Sequence, residues 1–240
     1  MNIAVVFAGG VGSRMKTKNG TLKQFLEIDG VPILLHTLRN FEDAEEIDAI
    51  VVVMKDGFIE YTRELLKKHS FHKVMRVVSG GKTGQESIYN GLVAAGTIST
   101  SDDDIVLIHD GVRPFINDGL IVANIESVRK NGSAISCVPA TETSIIIDDD
   151  NKIAQIPVRA SSMIAKAPQS FYLKDILDAH EKTLALGIHD SVDSCTLMYR
   201  FRKDLAVVLT DYDNIKVTTP KDLFLAESIY KKRKALLRGY

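Results

Sequence analysis

Three closely spaced glycines follow the first apolar run of the chain, Ile3-Ala4-Val5-Val6-Phe7-Ala8-Gly9-Gly10-Val11-Gly12-Ser13-Arg14-Met15, and Lys23-Gln24-Phe25 comes shortly after. Glycines there let the backbone turn tightly and approach a ligand closely, so that bare N–H groups can face phosphate oxygens. Arg14 and Lys23 behind them can neutralise charge that the amides leave. The chemistry indicated is phosphate handling, with three readings to separate. A dinucleotide fingerprint needs a further glycine where Met15 stands, and only Asp56 suits it. A P-loop needs a closing Gly-Lys-Ser/Thr, which this segment lacks. The third reading, a plain strand-to-loop turn, is disfavoured by two cations in an apolar neighbourhood.

Other stretches could contribute to such a site. His109-Asp110-Gly111-Val112-Arg113-Pro114 follows the apolar run Ile105–Ile108. A carboxylate at the end of a buried strand suits a magnesium ligand, although it can equally cap a loop. Arg113 could bind phosphate or pair with the neighbouring aspartate. Asp213-Asn214-Ile215-Lys216-Val217-Thr218-Thr219-Pro220 adds a second carboxylate and another lysine, and Thr219-Pro220 is a helix start. Gly80-Gly81-Lys82-Thr83-Gly84-Gln85-Glu86-Ser87 is a second glycine-rich turn, against which a nucleotide base or ribose could lie. It reads equally well as an ordinary strand-to-helix connection. Arg159 could reach the site of a partner subunit or remain a surface arginine. His36, His69, His72 and His180 form no metal pattern, and Cys137 and Cys195 have neither zinc nor redox spacing. With no nucleophile elbow and no Cys–His arrangement, covalent catalysis is not indicated.

The elements that must position these residues alternate. Strands are expected at Asn2–Ala8, Ala49–Met54, Val74–Ser79, Ile105–His109, Ala134–Pro139 and Ala206–Leu209. Helical patterns lie at Ile33–Phe41, Tyr61–His69, Gln85–Ala95 and Gly119–Lys130, then at Leu173–Leu186, Ser191–Tyr199 and from Pro220 onward. Such alternation argues for a mostly parallel sheet with helices on both faces. Ligands then sit beyond the carboxyl ends of the strands. Thr143–Ile147, the tip Asp148-Asp149-Asp150 and Ile153–Val158 read as a projecting β-hairpin arm at about 141–160, expected to pack on a second copy of the chain, although the spacing fits a solvated surface hairpin equally well. The remainder of 1–240 reads as one domain.

Composition narrows the partners. Among 240 residues, 30 Lys and Arg nearly balance 31 Asp and Glu, which gives no indication of a broad nucleic-acid-binding face. The basic run Lys231-Lys232-Arg233-Lys234 suits a helix C-terminus. Neither a signal-type segment nor an apolar run of membrane-spanning length is evident, so a cytoplasmic protein without membrane association is expected.

Taken together, Ala8 to Met15, Lys23-Gln24-Phe25-Leu26, His109-Asp110 with Arg113-Pro114, Pro168-Gln169 and Asn214-Ile215-Lys216-Val217-Thr218 resemble the alditol-phosphate cytidylyltransferases, in matching order from Asn2 to about Tyr230. The resemblance implies an α/β, Rossmann-like fold of the nucleotide-diphospho-sugar transferase type and a homodimer joined by the arm. It also implies magnesium-dependent transfer of CMP from CTP to an alditol phosphate. By motif position, Ala8, Gly9, Gly10, Gly12 and Arg14 would hold the triphosphate, with Lys23 and Lys216 at the α-phosphate. Gly81 and Ser87 would contact the cytidine. Asp110 and Asp213 would hold magnesium, Asp110 also touching both substrates. Thr143 and Arg159 from the partner's arm would hold the alditol phosphate. The chain departs from the family pattern at Gly84, where arginine is usual, at Lys82, where an acidic residue is frequent, and at Leu22, where proline is common. Gly111-Val112-Arg113-Pro114-Phe115 leans toward the ribitol 5-phosphate branch. The alternatives are the 2-C-methyl-D-erythritol 4-phosphate branch and a non-catalytic nucleotide-binding protein, the latter opposed by the retained aspartates and cations.

Overall fold

The computed structural model describes residues 1–10, 15 and 21–237. In chain order the strands are β1 (Asn2–Ala8), β2 (Glu27–Ile28), β3 (Val31–Pro32), β4 (Ala49–Met54), β5 (Val74–Ser79), β6 (Ile105–Asp110), β7 (Ser133–Pro139), β8 (Ile146–Ile147), β9 (Ile153–Gln155), β10 (Met163–Tyr172) and β11 (Val207–Leu209). The helices are α1 (Ile33–Asp43), α2 (Ile59–Lys68), α3 (Gly84–Gly96), α4 (Asp118–Asn131), α5 (Leu173–Ala185), α6 (Ser194–Tyr199) and α7 (Pro220–Leu237). Seven strands form the main sheet in the order β11-β7-β10-β6-β1-β4-β5. All neighbouring pairs are parallel except those made by β10, which runs antiparallel to both β6 and β7.

The apolar strand runs reflect burial on both faces. On β1, Ala4, Val6 and Ala8 pack with α1, α2 and α4, whereas Ile3 and Val5 pack with α3, α5 and α6. Helix α3 approaches so closely at Gly91 that a Cβ there would lie 2.6 Å from both Val5 and Val53. A third cluster joins α7, through Ala226 and Ile229, to Ile28, Ile33, Val112 and Val217. No described helix is long and apolar enough to cross a membrane.

The strands expected from sequence are present, with ends shifted by a residue at most. The longest, β10, was not expected. Lys166, Pro168 and Gln169 interrupt its apolar pattern, its pairing with β7 shifts register between Ala165 and Gln169, and only its second half is buried. Between β7 and β10 the chain leaves the sheet as the arm, whose strands β8 and β9 are shorter than expected and exposed throughout.

Candidate active site

Parallel register brings distant residues to one edge of the sheet. Phe7 pairs with Asp110, Ala8 with Met54, and Met54 with Ser79. The segments leaving the carboxyl ends of β1, β4, β5 and β6 therefore share one rim, where they line a cleft of about 380 Å³ with Gly9, Gly10, Lys55, Gly81 and Asp110. Lys23 and Lys216 enter the same cleft from loops. Ala8 and Ser87 also line it, so the structure brings together eight of the residues expected at the site: Ala8, Gly9, Gly10, Lys23, Gly81, Ser87, Asp110 and Lys216. Gly12 and Arg14 lie outside the described residues.

Each wall has a local cause. Lys23 sits on a 3₁₀ turn, Lys23–Phe25, and the buried Gln24 side chain fastens that turn by donating from Nε2 to the Ala8 carbonyl at 2.5 Å. The second glycine turn is closed by the start of α3. Thr83 Oγ1 accepts from Glu86 N at 3.1 Å, and the Glu86 carboxylate accepts from Lys82 N at 2.7 Å. Ser87 Oγ accepts from Gly81 N at 3.0 Å. This is a helix-capping arrangement, and it occupies two amides that a phosphate could otherwise have taken. A Cβ on Gly81 would fall 2.2 Å from Glu86 Cγ, so glycine is required there for closure. At Gly9 and Gly10 the nearest atoms would be 3.7 and 3.9 Å away, and glycine there leaves room. Nothing lies within 4 Å of a Cβ placed on Gly84.

The Asp110 carboxylate accepts from Lys216 Nζ at 2.5 Å and from Arg113 Nε at 2.7 Å. Burial alone would raise its pKa, but Lys216 and Arg113 outweigh that and hold it at about 2. Arg113 also donates from an Nη atom to the Asn214 carbonyl at 2.9 Å, and Asn214 donates to the Ala167 carbonyl at 2.7 Å. Arg113 is therefore a brace that ties the Lys216 loop to β6 and β10. The neighbouring His109 is fully buried edge-on to Phe41, and burial pushes its pKa down to about 4. It stays neutral at pH 7.

Other expected residues lie elsewhere. The Asp213 carboxylate faces Arg233 at 3.9 Å and does not line the cleft. Thr143 and Arg159 are exposed on the arm and line none of the chain's own cleft. Asp56 accepts from Ser79 Oγ. Among the described residues no three His, Cys, Asp or Glu side chains cluster as a metal site. Among the described residues Asp110 alone offers a carboxylate to the cleft, which fits a magnesium ion that takes most of its ligands from phosphate and water. Sequence reading overlooked Lys55 and the anchoring role of Gln24. Lys55 was findable, since it immediately follows a buried parallel strand.

The chain is similar along most of its length to known proteins. A ribitol-5-phosphate cytidylyltransferase of Streptococcus agalactiae serotype V is 49% identical over 233 residues, covering 97% of this chain and 96% of its own. A 2-C-methyl-D-erythritol 4-phosphate cytidylyltransferase of Geotalea uraniireducens is 39% identical, covering 95% of this chain and 96% of its own. The crystal structure of 4-diphosphocytidyl-2C-methyl-D-erythritol synthase from Anaerococcus prevotii superimposes with a TM-score of 0.82 at 31% identity, covering 96% of each chain. The family model described as IspD, 2-C-methyl-D-erythritol 4-phosphate cytidylyltransferase, matches residues 2–232. With that much of its length matched, the chain belongs to the IspD family.

Proposed function

We propose that the protein transfers CMP from CTP to D-ribitol 5-phosphate, giving CDP-ribitol and pyrophosphate. The observation that carries this is a cleft lined by Lys23, Lys55, Lys82 and Lys216 together with the Asp110 carboxylate, beside glycines that leave room for a ligand. The choice of ribitol rests on the greater identity to the streptococcal relative.

The chemistry follows from charge. The alditol phosphate attacks the α-phosphorus of CTP, a new O–P bond forms, and pyrophosphate departs with the electrons of the bond that breaks. A phosphate monoester has a second pKa of about 6 and is largely ionised at pH 7, so no general base is required. Two anions approach only where cations offset their repulsion. Lys23 and Lys216 would sit at the α-phosphate, and Gly9, Gly10, Gly12 and Arg14 at the triphosphate. Gly81 and Ser87 would meet the cytidine. Catalysis is then positioning and electrostatics. Asp110 would hold magnesium, which supplies further neutralisation of the phosphates when bound; Asp213 could join it only by leaving Arg233.

Thr143 and Arg159 would hold the alditol phosphate in the cleft of a partner subunit. What supports a homodimer is the arm, on which Ile145, Ile146, Ile147, Ile153, Ile156 and Val158 are all at least 48% exposed. A run of apolar side chains of this kind marks an association surface.

Pyrophosphate release, measured with each nucleoside triphosphate and either D-ribitol 5-phosphate or 2-C-methyl-D-erythritol 4-phosphate, tests the reading. Release is expected with CTP and ribitol 5-phosphate. No release with any pair sinks it, and release with the methylerythritol substrate alone replaces the alditol. Mixing Arg159→Ala subunits with Lys23→Ala subunits should yield activity that neither variant shows alone; an inactive mixture removes the shared site.

A further inference from the structure

A second cavity, of about 290 Å³, opens beside the first and shares Phe7, Gly84, Asp110 and Lys216 with it. Its wall includes Lys166, a half-buried residue of β10 at the base of the arm. The Lys166 ammonium has no hydrogen-bond or ion-pair partner among the described residues. Burial and the nearby Arg113 charge both push its pKa down. The acidic side chain in the same wall, Asp193, is already engaged. It accepts from Gln169 Nε2 at 3.0 Å and from Thr196 N at 2.8 Å, capping α6. Asp110, the other carboxylate, is held between Lys216 and Arg113.

A cation drawn partly out of water, beside a like charge and with no counter-group, is costly unless a ligand answers it. Lysine offers three donors and no acceptor, so the answering group must be rich in oxygen lone pairs. Under the reaction proposed above, on which this inference rests, the attacking phosphate lies at the mouth shared by the two cavities. The rest of the alditol must then extend into the second. We propose that Lys166 determines specificity for the second substrate, its ammonium donating to hydroxyl oxygens of the alditol chain. A chain hydroxylated at every carbon satisfies those donors. 2-C-methyl-D-erythritol 4-phosphate is hydroxylated too, but its chain is one carbon shorter with one free hydroxyl fewer and a methyl branch, so a donor set for the longer chain loses an acceptor. Sites built to hydrogen-bond a hydroxyl discriminate strongly against analogues that lack it.

The test compares the wild type with Lys166→Met, which keeps length and removes charge, and with Lys166→Arg, which keeps charge. In Lys166→Met the KM for D-ribitol 5-phosphate should rise at least ~10-fold while that for CTP stays within about twofold, as loss of a charge-assisted hydrogen bond to one substrate demands. Lys166→Arg should recover most of the loss. The preference for ribitol 5-phosphate over 2-C-methyl-D-erythritol 4-phosphate should fall in Lys166→Met. An unchanged KM for ribitol 5-phosphate, or a parallel rise for CTP, overturns the assignment. Calorimetric titration with ribitol 5-phosphate separates this inference from the reaction itself. Binding that weakens in Lys166→Met, in a wild type that releases no pyrophosphate, would sustain the subsite and sink the reaction. No measurable binding to the wild type overturns the subsite.

Discussion

The cleft and the arm both spring from the main sheet, and they treat their side chains in opposite ways. In the cleft, Asp110 is 5% exposed and locked between two cations, and Gln24 is fully buried with its amide on the end of β1. On the arm, Ile153 is 60% exposed and Val158 70% exposed, and the strands beneath them have only two and three residues. Two-stranded hairpins of this size are marginal alone. The cleft is built before any ligand arrives, whereas the arm lacks a layer to pack against. Preorganised charge is what a reaction between two anions needs, and an unpacked apolar face is what a partner surface needs.

The contrast can be pressed from both sides. Lys23→Ala should lower kcat/KM by roughly 10³ with the melting curve unchanged, since removing a preorganised charge stabiliser costs about this much; near-normal turnover would show that the cleft's cations do not act at the reacting phosphate. Asp110→Asn leaves Lys216 and Arg113 unanswered, and unfolding in urea should report a loss of about 3 kcal/mol. On the arm, Ile147→Asp together with Ile153→Asp should leave the chain folded but convert a dimer to monomers by light scattering, with activity falling in parallel. If the variant stays dimeric, the arm is not the interface.

Acid should separate the core from the arm. Burial holds His109 and His180 at about 4 in the folded protein, below the ordinary value of 6.5. The unfolded chain therefore takes up protons first, and stability present above pH 6.5 is lost as the pH falls toward 4. His180→Phe should shrink the loss of unfolding free energy between pH 7 and pH 4.5 by about 2 kcal/mol, because one pKa unit is worth about 1.4 kcal/mol. An unaltered pH profile would mean that His180 takes up its proton as readily as an exposed histidine. The smallest effect is expected at Asp213, whose pairing with Arg233 is long and partly exposed. Asp213→Asn should change kcat/KM by less than about threefold, in keeping with the small worth of such pairs. A drop as large as that for Lys23→Ala would place Asp213 at the reacting phosphates after all.

How much of this was legible follows the same division. Strands β1 and β4 end where their apolar runs end, because burial on both faces writes itself into composition, whereas β5, a partly exposed edge strand, is marked by its valines. Strand β10 was illegible, since one half is exposed and Lys166, Pro168 and Gln169 break its pattern. At the site, residue types and motif order announced Lys23, Asp110 and Lys216, but no spacing reports that residues 110 and 216 touch. That contact depends on the Arg113 and Asn214 braces, which are tertiary. Gln24 was likewise hidden, because its amide acts on the backbone of a strand sixteen positions earlier.

The Asp110–Lys216 pair lies on the wall common to both cavities. An anion that draws Lys216 into one cavity loosens the carboxylate facing the other, so occupancy of the two is energetically linked. Linkage is reciprocal: whatever one ligand adds to or subtracts from the affinity of the second, the second returns in equal measure. A single ion pair thus makes the two cavities one thermodynamic device, in which the worth of either substrate's contacts depends on whether the other is present.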